Sequence, residues 1–160
     1  MRAGWYFVAI VTLLIVSGEK REARASSPVE YCQQIGTDDA LRAIPASLVP
    51  DAVRLFQLDA MPAKQVQQST YFRCANHHVL VCNTGANLPC GKADTRRDLP
   101  GADGWCARHA GSDFISMYVI AHATIYRWRC DGPKAAINGT ASDMDERGFI
   151  AQDWKQVGPD

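Results

Sequence analysis

The sequence predicts an α+β fold in which short N-terminal helices sit beside a small antiparallel β-sheet, the whole held by disulfides. Three observations predict it. Six cysteines (Cys32, Cys74, Cys82, Cys90, Cys106, Cys130) all fall after residue 31. Capping residues and prolines that start and stop helices concentrate before residue 63. Runs of aromatic and β-branched residues, separated by turn residues, begin at Thr70.

The chain has 160 residues, with 17 Lys+Arg against 17 Asp+Glu, and 47% of its residues are apolar. Those values suit one globular domain and exclude general disorder. The first 25 residues read as an export signal. Arg2 supplies the positive start, and Trp5 to Val16 is apolar except for Thr12. As a helix that run spans about 18 Å, too short for a bilayer core of about 30 Å. Ala23-Arg24-Ala25 offers the small-x-small cleavage pattern, although five charged residues crowd the stretch Ser17 to Ala25. An uncleaved anchor and a misplaced start are the alternatives. Cleavage after Ala25 leaves residues 26–160 as a single disulfide-stabilised domain with 13 basic and 15 acidic residues, a net charge of −2. That balance gives no nucleic-acid signature, and cleavage leaves no stable membrane anchor.

An even number of cysteines in an exported chain reads as three disulfides, placing the protein in the periplasm or outside the cell. Six cysteines allow 15 pairings. The Gly-, Asp- and Pro-rich segment between Cys90 and Cys106 favours closure by those two, worth about 3 kcal/mol by chain entropy. No Cys-x-x-Cys is present, so zinc, covalent haem and thioredoxin-like redox chemistry lack their motifs. No cofactor is expected.

The elements follow in order. Residues 26–31 read as a polar leader. Thr37-Asp38-Asp39 caps a helix from about Asp38 to Ile44, ended by Pro45. Pro50-Asp51 opens a second helix carrying Ala52, Val53, Leu55 and Phe56, and Met61-Pro62 stops it. Residues 63–69 are polar and linker-like. Tyr71-Phe72-Arg73-Cys74 and Val79-Leu80-Val81-Cys82 form a β-hairpin around Ala75-Asn76-His77-His78. Residues 83–104 form a long turn-rich connection, and Trp105 to His109 one or two helical turns. A second strand region from Phe114 to Cys130 breaks near Ala121-His122. Alternation sets Tyr126, Trp128 and Cys130 on one face and Arg127 and Arg129 on the other. Ala135-Ala136-Ile137 returns as a short strand, Asn138-Gly139 makes a turn, and residues 148–157 close the core.

Candidate sites compete with plainer readings. His77 and His78 are metal-ligand types, but neighbours in an extended chain point apart, so they read as exposed turn residues. Asp143 to Gly148 resembles the opening of a calcium loop, yet Arg147 and Trp154 stand where ligands are required. Asn138-Gly139-Thr140 fits a glycosylation acceptor as well as a turn. No Gly-x-Ser-x-Gly or His-Glu-x-x-His occurs, and paired cysteines leave no thiol nucleophile. Arg127 and Arg129, joined by Arg73, form the candidate recognition face, because arginine beside aromatics is enriched at binding hot spots. A solvated strand face is the alternative.

Tyr31-Cys32, Gly36-Thr37-Asp38-Asp39, Ile44-Pro45-Ala46-Ser47-Leu48, Phe72-Arg73-Cys74, the stretch Cys82 to Asp94 and Trp128-Arg129-Cys130 together resemble a group of small exported six-cysteine bacterial proteins of unknown function. That resemblance spans nearly the whole mature chain and implies export, without an activity. The Tyr-x-Arg-Cys element at Tyr71 is also similar to one in periplasmic lysozyme inhibitors, which are small disulfide-linked β-barrels. Their Ser-Gly-x-x-Tyr-like inhibitory element is missing here, so no inhibitory residue carries over. The sequence therefore favours a non-enzymatic binding module for an envelope or extracellular protein, or for a ligand. The alternative is a small exported hydrolase built from distant residues. A cleft joining His109 or His122 to a carboxylate is the feature that favours the hydrolase.

Overall fold

The computed structural model describes residues 26–85 and 88–158. Residues 1–25, the segment expected to direct export, lie outside them. The fold is α+β, with three disulfides. Helix α1 (Pro28–Ile35) begins where the sequence suggested a polar leader. Ser27 caps it through the Glu30 N–H, and the Glu30 carboxylate accepts from the Ser27 N–H in return. Helix α2 (Val49–Phe56) starts beside Pro50 as expected and follows the 3-10 turn Ala46–Leu48. Helix α3 (Ala63–Ser69) occupies the segment read as a linker. Its composition is helix-compatible, but only Val66 is buried, so no apolar stripe announces it.

Strands β1 (Asp38–Ala43), β2 (Thr70–Ala75), β3 (His78–Asn83) and β6 (Lys155–Gln156) form one antiparallel sheet in the order β1-β2-β3-β6. β1 corrects the expected helix. Its acids are engaged by side chains rather than by a helix N-terminus: Asp38 accepts from the Tyr31 hydroxyl at 2.6 Å, and Asp39 pairs with Lys92 at 2.7 Å and Arg147 at 2.9 Å. The segment also covers the free edge of β2, whose backbone groups would otherwise stay unpaired. The second sheet is the ribbon of β4 (Tyr126–Asp131) and β5 (Lys134–Thr140). The described strands close no barrel, unlike the lysozyme inhibitors. Asn138-Gly139 is not a turn. β5 carries an extra residue between Ile137 and Thr140, and Gly139 takes φ 103° at this bulge.

Alternation along β2 and β3 sorts two cores. Phe72, Cys74, Val79 and Val81 face α1, α2 and α3, packing with Ile44, Leu48, Ala52 and Val66. Cys82 points the other way, to Cys90, Phe149 and Trp154. A third cluster joins α4 (Pro100–Cys106) and α5 (Met117–Ile120) to the ribbon through Ile115, Ile120 and Trp128.

The disulfides are Cys32–Cys74, Cys82–Cys90 and Cys106–Cys130. Cys90 therefore does not pair with Cys106. The chain doubles back after β3 and returns Cys90 to that strand's end, while Cys106 on α4 faces β4. The first bond closes 42 residues and ties α1 to β2, worth about 4 kcal/mol by chain entropy. Three disulfides indicate an oxidising, extracytoplasmic location. Among the described residues no helix is long and apolar enough to cross a membrane.

Arg73 lies on the same face of β2 as Tyr71 and is fully buried. Its guanidinium sits 4.1 Å from the Phe149 ring centre and 4.6 Å from that of Trp154, and it pairs with Asp145. Asp145 also accepts from the N–H groups of Arg147 and Phe149, each at 2.9 Å, and so shapes the turn that carries Phe149. Asp145→Asn leaves a buried cation without a counter-charge. The expected cost is about 3 kcal/mol, read as a lower urea midpoint at unchanged slope.

Hydrogen bonds from Arg147, then from Lys92, lower the Asp39 carboxyl from 3.8 to about 2, against some desolvation. A lowered acid stabilises the fold above its unfolded pKa and loses that contribution as pH falls through its folded one. Asp39→Asn is expected to lower the melting temperature at pH 7, with the gap from the native protein closing between about pH 4 and pH 2. Thermal melts across that range measure it.

Candidate functional site

The bulged ribbon, α5 and the segment Ile150–Asp153 enclose a cleft of about 390 Å³. Ile115, Ile120 and Trp128 supply its apolar wall. The β4 alternation holds, since Tyr126, Trp128 and Cys130 turn toward the core while Arg127 and Arg129 are exposed. The Trp128 indole is fixed by donating from Nε1 to Thr124 Oγ1 at 3.1 Å. Large apolar side chains stand open at the mouth: Phe114 is 68% exposed, with Leu88 and Met117 beside it. Exposed apolar groups around a concavity are a usual mark of a binding site.

Two polar groups in this cleft have no partner. Asp153 is only 8% exposed, yet its carboxylate takes no hydrogen bond or ion pair from any described residue. Burial alone raises its pKa above the usual aspartate value. His122 lines the same cleft, and its Nδ1 is buried without a partner. Buried polar groups are nearly always satisfied within a fold. The unpartnered nitrogens Arg73 Nε and Nη1 and Trp154 Nε1 lie outside the cleft, and His122 Nδ1 lies within it beside the buried Asp153. The residue before His122 adds a third departure. Ala121 adopts φ 67° and ψ 154°, a region nearly reserved for glycine and costing about 1–3 kcal/mol.

The residues expected to form a recognition face do not come together. Arg73 is buried in the other sheet, because its position on β2 turns it toward Phe149 and Trp154. Arg127 and Arg129 remain as an exposed pair. Arg127 reaches the cleft mouth and donates from Nη2 to the Thr140 carbonyl at 2.9 Å.

The other sequence candidates are engaged elsewhere. His77 sits at the hairpin turn, donating its N–H to the Gly36 carbonyl at 2.8 Å, and its ring Nδ1 lies 3.0 Å from the Gln33 carbonyl. His109 stacks on Trp105 at 4.0 Å, outside the cleft. In the calcium-like loop, Asp145 is taken by Arg73 and Arg147 by Asp39. Among the described residues no three His, Cys, Asp or Glu groups could hold a metal ion. His122, by contrast, does share a cleft with carboxylates, those of Asp113 and Asp153. Asp153 carried no signal in the sequence, since it looks like a surface acid. Ala121 stands out there only as the point where the strand region breaks, and its positive φ lies at that break.

No family model, no curated protein and no solved structure matches the chain.

A buried, unpartnered carboxylate destabilises a fold at neutral pH. A raised acid pKa means its stabilising contribution is present at low pH and lost as pH rises through the folded value. Asp153→Asn removes the charge and keeps the shape. It is expected to raise the melting temperature at pH 7 by a few degrees and to leave it unchanged near pH 3. Calorimetric melts at the two pH values check this.

Proposed function

We propose that the protein is a non-enzymatic binding module of the periplasm or the extracellular space, and that its cleft holds a small, mainly apolar ligand. One observation carries this reading: the apolar cleft holds a buried aspartate, Asp153, that takes no hydrogen bond or ion pair from any described residue, beside the unpartnered Nδ1 of His122. A pocket of this size, apolar with a few polar groups, matches small-ligand sites. Ligand atoms that bonded Asp153 and His122 would remove the penalty of leaving them unpaired. Docking of an envelope protein on the arginine face has less support, because Arg73 is not part of it and two exposed arginines on one ribbon offer little area.

The hydrolase reading has a specific observation in its favour, the presence of His122, Asp113 and Asp153 in one cleft. Nucleophilic catalysis needs an activated hydroxyl oriented by a base. Ser142 lines the cleft, but its Oγ accepts from Gln152 Nε2 at 3.1 Å, and His122 Nδ1 bonds neither carboxylate. The binding reading therefore stands first.

Titration with the neutral fluorophore N-phenyl-1-naphthylamine tests it. We expect saturable binding of one equivalent, abolished by Ala141→Trp, which projects an indole into the cleft from an exposed backbone position. Dye binding that survives Ala141→Trp, in a variant with an unchanged melting temperature, sinks the cleft assignment. Turnover of p-nitrophenyl acyl esters that disappears in His122→Ala replaces the binding reading with the hydrolase.

A further inference from the structure

We propose that the ligand of this cleft is a cationic amphiphile: a primary amine carried on an aryl or alkyl body, with its ammonium group on Asp153. The proposal rests on the cleft being a binding site and names the chemical class that it takes.

The charges of the cleft set the sign. Three formally charged side chains line it: Asp113, Arg127 and Asp153. Asp113 and Arg127 are exposed at the mouth, where opposite charges offset each other and water screens both. Asp153 lies in the wall, nine-tenths buried and without any cation from the protein. The cleft thus presents one uncompensated negative group in an apolar setting, where a unit charge is attracted far more strongly than in water.

Hydrogen-bonding capacity agrees with the charge. An ionised carboxylate is an acceptor only. A primary ammonium carries three donors and no acceptor, so it supplies what the Asp153 carboxylate lacks. A neutral alcohol supplies a single donor and no charge, and charge-assisted bonds are roughly twice as strong as neutral ones. A carboxylic acid ligand would bring a second negative charge beside the first. The body of the ligand is set by the walls. Ile115, Ile120 and the Trp128 ring accept an apolar chain or ring, and Phe114 and Met117 extend that surface at the mouth. The volume of about 390 Å³ lies at the small end of ligand pockets, which fits one ring or a short chain better than a long lipid.

Calorimetric titration of three matched probes tests the class. The probes are 4-phenylbutylamine, 4-phenylbutan-1-ol and 4-phenylbutyrate, each run at pH 7 against the protein and against Asp153→Asn. The amine is expected to bind at least ten-fold more tightly than the alcohol, and the butyrate most weakly. In Asp153→Asn the amine should fall to the level of the alcohol while the alcohol is unchanged. An alcohol that binds as well as the amine, or an amine preference that survives Asp153→Asn, overturns the proposal and leaves the cleft intact as a binding site. Failure of all three probes, with N-phenyl-1-naphthylamine still bound, rejects the amine class alone. Failure of the dye as well rejects both readings. The preference for amine over alcohol in the unaltered protein is informative even if Asp153→Asn does not fold.

Discussion

The buried guanidinium of Arg73 is the constraint on which the rest of the structure depends. A cation in a protein interior is tolerated only when it is paired and packed. Arg73 has both, through Asp145 and the rings of Phe149 and Trp154. Those partners come from residues 145–154, far along the chain from β2. The pairing therefore fixes the C-terminal segment against the main sheet. β6 then adds to β3, and the turn at Asp145 brings Arg147 to Asp39 on β1. One side chain thereby links the first strand, the central hairpin and the last third of the molecule.

The cleft inherits its geometry from that arrangement. Ile150 and Asp153 form one wall because Phe149 and Trp154, on either side of them, are clamped to Arg73. The opposite wall belongs to the ribbon and α5, where Cys106–Cys130 ties α4 to β4. Two separately stabilised bodies thus face each other across an apolar gap. The bulge at Gly139 belongs to the same design. It re-aims the end of β5, places Asn138 at the cleft and lets Arg127 reach the mouth from the solvent side.

Much of the local structure was legible. The β2–β3 hairpin, the start of α2, the β4 alternation and the presence of three disulfides all follow from short-range patterns of residue type. What failed was tertiary. Asp38 and Asp39 look like helix caps, but their partners Tyr31, Lys92 and Arg147 are brought in by folding. α3 lacks an apolar stripe because Val66 alone meets the core. α1 was legible in principle, since Ser27 and Glu30 have capping-box spacing. Arg73 misled for a physical reason: an aromatic-Arg-Cys motif is identical at Phe72-Arg73-Cys74 and Trp128-Arg129-Cys130 in pattern, yet one arginine is buried under two rings and the other is exposed. The side of a strand that meets a second layer is not written in the strand itself.

The energetic pattern around the cleft argues that it is more than a packing fault. Ala121 is held in a strained backbone conformation, His122 Nδ1 has no partner, and Asp153 is desolvated without a counter-charge. Each lowers stability; His122 and Asp153 line the same 390 Å³ of space, and Ala121 immediately precedes His122. Unpartnered nitrogens also occur at Arg73 and Trp154, outside the cleft, but the cleft adds a buried carboxylate and exposed Phe114 and Met117 at its mouth. Disulfides covalently constrain both flanking bodies, so the fold can carry these local losses without giving up its cooperative stability. Local strain and unsatisfied polarity persist where a site is organised for something outside the chain. The chemistry of the proposed ligand is constrained by what Asp153 and the walls lack: a hydrogen-bonding cation at the buried carboxylate, and apolar surface to cover Ile115, Ile120 and Trp128.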